Sequence, residues 1–166
     1  MADNDGARIS LDDPNELARE LLTPRIVWAG LSMSTVLYVA ISWLATQGGP
    51  APGLDPTVIY ILCGIGLAAA AASVVVRRFL PQPSSESVGS VSLSPDQVKV
   101  ATNRFMVGLM VPMALGEVPA ILGLLLSLAT HDLRFSLAAT GLSLVTFGSL
   151  FPQAERLRGF WRAAAG

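Results

Sequence analysis

The sequence predicts an all-α membrane protein, with four transmembrane helices in two hairpins and short amphipathic cytoplasmic lead-in helices. Three observations carry that expectation. Apolar residues make up 52% of the 166 and charged residues only 14%, where a soluble domain carries about 25% charge. The mean hydropathy is +0.56. The apolar residues also fall in blocks close to the ~20 residues that cross a hydrocarbon core as a helix, and such blocks exclude a disordered chain.

The elements follow in order. Residues 1–25 form a cytoplasmic N-terminal segment with no early apolar run of the kind that marks a secretory signal. Within it, Asp13-Pro14-Asn15-Glu16 places an N-cap, a first-turn proline and a capping-box glutamate in sequence. Thr23-Pro24 is expected to break this lead-in helix before the membrane. The first hairpin occupies 26–76, with uncharged spans Ile26–Ala45 and Val58–Val76 joined by the Gly/Pro turn Thr46–Thr57. A cytoplasmic linker and second lead-in helix fill 77–104. The stretch Pro81–Ser94 holds six serines, and Ser94-Pro95-Asp96-Gln97 repeats the helix-start grammar. The second lead-in helix is expected to run on into the third span. The second hairpin occupies 105–151, with spans Phe105–Ala129 and Phe135–Phe151, and Asp132 is placed to cap the last span. Residues 152–166 form a cytoplasmic tail, whose three arginines and two aromatics read as an ordinary positive-inside flank, with a segment lying on the inner leaflet as the alternative.

Charge sets the orientation. The termini and the long linker carry ten of the eleven basic residues, and the two short turns carry only Arg134. The positive-inside rule therefore puts both termini in the cytoplasm, in a multi-pass protein of the cell (inner) membrane. Trp28, Trp43, Tyr60 and Trp161 fall near the expected interfaces, where amphipathic rings settle.

Composition also narrows the chemistry. A net charge of −1 gives no support for nucleic-acid binding. Cys63, the single cysteine, can make neither an internal disulfide nor a cysteine metal site. His131, the only histidine, sits in a turn, and no His, Cys and carboxylate spacing suits a metal. No phosphate loop is present, and Gly64-Ile65-Gly66 inside a span is not a dinucleotide fingerprint. The expectation is a protein that is not an enzyme and uses no cofactor or metal. Its partners are the lipid bilayer and either further copies of itself or a larger membrane complex.

Glu117 stands almost at the centre of the third span and is the one charged residue there. An ionised carboxylate at mid-membrane costs about 3 kcal/mol or more. Protonating an ordinary glutamate at pH 7 costs about 3.7 kcal/mol, and no Lys or Arg lies within a span to hold the charge. Glu117 is therefore expected to rest as a neutral buried carboxyl. Pro112 and Pro119 free the carbonyls of Gly108 and Leu115, so Leu115 and Pro119 are candidate supports. By depth, Ser32, Ser34, Tyr38 and Ser143 are candidate partners on other spans. Small residues at Gly64, Ala68 and Ala72, and at Gly116, Ala120 and Gly123, are expected to let helices approach closely. Met106, Met110 and Met113 lie near the same face as adaptable filler.

The run Gly64-Ile65-Gly66-Leu67-Ala68-Ala69-Ala70-Ala71-Ala72, followed by Ala114-Leu115-Gly116-Glu117-Val118-Pro119-Ala120-Ile121-Leu122-Gly123-Leu124, resembles the hairpin of the ATP synthase c subunit, a proteolipid. In that family a Gly/Ala-rich helix leads through a cytoplasmic loop into a helix with a mid-membrane carboxylate. The resemblance implies that Glu117 binds a proton or cation. Two functional expectations result. One is a structural or accessory membrane protein whose neutral Glu117 joins helices; the other is a c-subunit-like ion-binding subunit.

Overall fold

The computed structural model describes residues 9–10, 14–48, 53–79 and 92–165. Two features predicted above, the Asp13 cap and most of the serine-rich linker, lie outside them. The fold is helical apart from one short bridge. Strand β1 (Ile9–Ser10) pairs antiparallel with β2 (Ser92–Leu93), Ile9 opposite Leu93, and so ties the N-terminal segment to the start of the third helix.

Helix α1 (Pro14–Ala45) is a single run of 32 residues, ending in a 3-10 turn at Thr46–Gly48. The expected break at Thr23-Pro24 does not occur. Pro24 lies inside the helix and is fully buried. A proline forfeits one hydrogen bond, to the carbonyl four residues back, and here packing outweighs that loss. The first lead-in helix is thus the opening turns of α1 rather than a separate element.

Helix α2 (Pro56–Arg78) starts at Asp55, whose side chain accepts the Thr57 N–H at 2.7 Å. That backbone bond, with the Thr57 side chain second, holds the Asp55 carboxyl below its ordinary value. Helix α3 (Pro95–Thr130) runs unbroken for 36 residues, through Pro112 and Pro119. Its start is a complete capping box. The Ser94 Oγ accepts the Gln97 N–H at 3.3 Å, and the Gln97 side chain accepts the Ser94 N–H at 3.0 Å. Its end is His131, in the left-handed region at φ 53°. At 1.5 Å per residue α3 is about 54 Å long, well beyond a ~30 Å hydrocarbon core. Helix α4 (Leu133–Ser149) opens on Asp132, which accepts the Arg134 N–H at 2.9 Å. After a bend of 52°, α5 (Ala154–Ala165) follows.

Three helices, α1 to α3, are long and apolar enough to cross a membrane, and up to four if the bent pair of α4 and α5 counts as one span. Helix α3 is the hub. It packs most extensively on α2 and α4, and next on α1, which also lies along α4. The expected first hairpin does not form as a packed pair, because α1 and α2 are not among the helix pairs in substantial contact. Their long Gly/Pro connection leaves α2 free to dock on another flank of α3, where its own small-residue face at Gly66 meets Pro119 and Leu122.

The core lies at one end of the bundle. Leu17 and Leu21 of α1, Val98, Ala101 and Phe105 of α3, and Leu157 and Trp161 of α5 form one buried cluster, continuous with Leu109, Met113 and Phe147 further along. Residues 154–165, expected as an ordinary positive-inside flank, form a helix docked on protein. Trp161 is fully buried, and its indole N–H donates to Thr102 Oγ1 at 3.2 Å. Phe160 meets Phe105 edge to face at 5.4 Å.

Candidate functional site: a carboxyl between two helices

Glu117 is half-buried on α3, facing α1. Ser34 and Tyr38 of α1, four residues apart, stand one turn above the other on one face. Ser34 Oγ lies 2.8 Å from Glu117 Oε1, and Tyr38 Oη donates to the same oxygen at 2.8 Å. Ser34 Oγ is also 2.7 Å from the carbonyl of Leu31. Both hydroxyl oxygens therefore meet one carboxyl oxygen. Oε2 has no hydrogen-bond partner among the described residues, and it is not among the polar atoms shut off from the exterior.

The other candidate supports lie elsewhere. Ser143 is buried on α4, where its Oγ accepts the Ala120 N–H at 3.2 Å, so it joins α3 to α4 and does not reach Glu117. Pro119 is buried against α2, where a Cβ on Gly66 would lie 3.6 Å from the Pro119 Cα. Leu115 takes no part in the carboxyl's bonds. Two residues along a helix point to different sides, so the Glu117 side chain leaves Leu115 behind as it turns to α1. Ser32 Oγ is buried without a partner among the described residues.

The small-residue stripes divide. Gly116, Ala120 and Gly123 are all buried. A Cβ on Gly116 would sit 3.0 Å from Thr146 Cγ2, and one on Gly123 would sit 2.8 Å from the Phe135 carbonyl and collide with Ala139. These are the close approaches of α3 to α4. The stripe on α2 is a different one from that expected. Gly64 and Ala68 are exposed, with open space around Gly64, while Gly66, Ala70 and Ser73 are buried. Both faces of this Gly/Ala-rich helix are thin, and the contact falls on the one that carries a serine. Ser73 Oγ donates to the Pro112 carbonyl at 2.7 Å, a bond that joins α2 to α3.

Polar contacts missed from the sequence complete the seam. Trp28 donates its indole N–H to the Phe147 carbonyl at 2.9 Å, and its ring stands edge-on to Phe151 at 5.1 Å. Thr140 Oγ1 of α4 donates to the Thr35 carbonyl of α1 at 3.3 Å. Hydroxyls among apolar residues were the available signal, although their facing could not be read from spacing alone. Of the methionines, Met113 is fully buried and Met110 is exposed. Cys63 is half-buried on α2 and free. Among the described residues, no group of three or more His, Cys, Asp or Glu is placed to hold a metal. No protein-family model, no curated protein and no solved structure matches this chain.

Proposed function

We propose that this chain is a four-span integral membrane protein of structural or accessory type. Glu117, carrying its proton, clamps α1 to α3. The observation that supports it is the set of three short oxygen–oxygen contacts at Ser34, Tyr38 and Leu31. Each contact needs one hydrogen between its oxygens. The Leu31 carbonyl supplies none, and the two hydroxyls supply one each. A protonated carboxyl supplies the third, so that Glu117 donates to Ser34, Ser34 to Leu31 and Tyr38 to Glu117. An ionised carboxylate would leave one contact with two facing lone pairs in a low-dielectric seam. The four-span reading takes α4, 17 residues long, as the last crossing. The basic end of the bundle then faces the cytoplasm, with both termini there.

Glu117→Gln tests this. Its amide places two donors where the neutral acid and its partners need hydrogens, so assembly and thermal stability should match the parent. Glu117→Ala should lose the clamp. Equal loss in both variants would show that the acid itself, in its ionised form, is required.

One observation favours a second reading, a c-subunit-like subunit that binds a proton or cation at Glu117. Oε2 is unengaged and open to the exterior, as an exchanging carboxyl requires. Dicyclohexylcarbodiimide, which attacks protonated carboxyls from the lipid phase, separates the two. Labelling of Glu117 that a cation suppresses supports exchange. Labelling indifferent to every cation and to pH near neutrality supports the clamp.

A further inference from the structure

At the end of the bundle where α1 and α3 begin, the seam between them opens into a groove of about 790 Å³. Its mouth carries Arg19 and Lys99, with Glu20 as the one carboxylate and Asn103 as a neutral polar group. Its inner end is Val107 and Met110. Both cations are exposed, and neither is held in an ion pair among the described residues. Val107 and Met110 are also exposed, at 58% and 48%, although both are apolar. From Lys99 to Met110 the wall advances eleven residues, about 16 Å along the helix. Polarity therefore falls from cationic to wholly apolar over the distance that separates a lipid headgroup from the middle of its acyl chain.

We infer that this groove seats one anionic phospholipid of the leaflet at the basic end, its phosphate between Arg19 and Lys99 and an acyl chain along Val107 and Met110. The inference rests on the membrane-spanning reading above. Charge complementarity names the occupant. Two unpaired cations against one carboxylate favour an anionic headgroup over a zwitterionic one, and each basic residue near a membrane surface adds about fivefold in affinity. The apolar inner wall requires a chain and excludes a free phosphate as the natural occupant. Residues 103, 110 and 117 recur at seven-residue intervals on α3, so the groove climbs toward Glu117 and stops about 10 Å short of it.

The test is native mass spectrometry of the full chain released from vesicles of phosphatidylglycerol or of phosphatidylcholine. One phosphatidylglycerol should be retained, at about fivefold or more over phosphatidylcholine. Arg19→Gln with Lys99→Gln should reduce that retention by about 25-fold, the product of two such steps. Glu20→Gln should raise it. Val107→Trp, which fills the apolar end and leaves the charges in place, should also expel the lipid, so the proposal does not depend on one variant folding well. Equal retention of the two lipids, retention unchanged in the charge variants, or displacement by millimolar inorganic phosphate would overturn it. Alkaline carbonate extraction of the same vesicles separates the two readings: release of the protein would overturn the spans and the lipid together, whereas a retained protein with no adduct overturns the lipid alone.

Discussion

Ser34, Tyr38 and Glu117 form a bond set that links helices 79 and 83 residues apart in the chain. Hydrogen bonds between membrane helices contribute about 0.6 kcal/mol on average and up to ~1.7. Tyr38→Phe should therefore cost about 0.6 kcal/mol, and Glu117→Ala should approach the upper figure, measured as unfolding in mixed micelles. Gly123 is the second sensitive residue. Any side chain there meets the Phe135 carbonyl and Ala139, which are backbone and a rigid methyl, so Gly123→Ala should cost about 1–3 kcal/mol by overpacking. Gly64→Ala should cost nothing in contacts, because open space surrounds it, and should gain slightly in helix propensity. The candidate site was legible as far as its chemistry. A lone mid-span carboxyl requires partners, and depth alone pointed to Ser34 and Tyr38. Facing was not legible, so Ser143 at similar depth stood as an equal candidate although it serves the α3–α4 seam.

Helix starts were the most readable elements, because they are chemical events confined to four residues. The Ser94 box and the Asp132 cap stand where their residue types demand. Asp55 adds a cap with a pH signature. Its folded carboxyl lies below the ordinary value, so its contribution is complete above the unfolded pKa and lost as pH falls through the folded one. Protection of the first-turn amides of α2, taken relative to the unstructured exchange rate at the same pH, should therefore fall below about pH 4, and Asp55→Ala should show the lower protection at neutral pH. What the chain did not disclose is how elements merge and dock. Pro24 reads locally as a break, yet burial keeps it inside α1. The twelve residues of α5 read locally as a basic surface flank, yet Leu157 and Trp161 have no exposure. A short amphipathic helix looks the same whether its apolar face meets lipid or protein, and only the complementary groove between α1 and α3 decides. Trp161→Ala should cost about 3–5 kcal/mol through the cavity it leaves, a loss that a helix lying on lipid would not show.

Docking of α5 bears on the whole molecule. It rests on α3 and α1 near their first turns, through Trp161 against Thr102 and Leu157 in the cluster with Leu17. Arg156 lies close enough to Arg77, near the end of α2, that burial first and this like charge second lower its pKa. The starts of α1 and α3, the end of α2 and the whole of α5 therefore gather at one end of the bundle. Helices that start at Pro14 and finish at Ala165 near one end of the bundle fit an even number of traverses. With α1, α2 and α3 each long enough to cross, the proposed four-span arrangement takes α4 as the return. Its 17 residues span about 25 Å, short of a ~30 Å core, and the deficit falls where Arg134 at its first turn can extend to the interface. In that proposed arrangement four crossings put both termini on one side, the side to which the sequence pattern assigns ten of the eleven basic residues. Single cysteines introduced into a Cys63→Ser background at Gln47, Asp96, His131 and Glu155 measure this directly. A membrane-impermeant thiol reagent added to sealed, right-side-out vesicles should modify positions 47 and 131 and spare 96 and 155 until the vesicles are opened. Modification of 155 together with 131 would mean that α4 does not cross, which is incompatible with α5 sharing its core with α1 and α3.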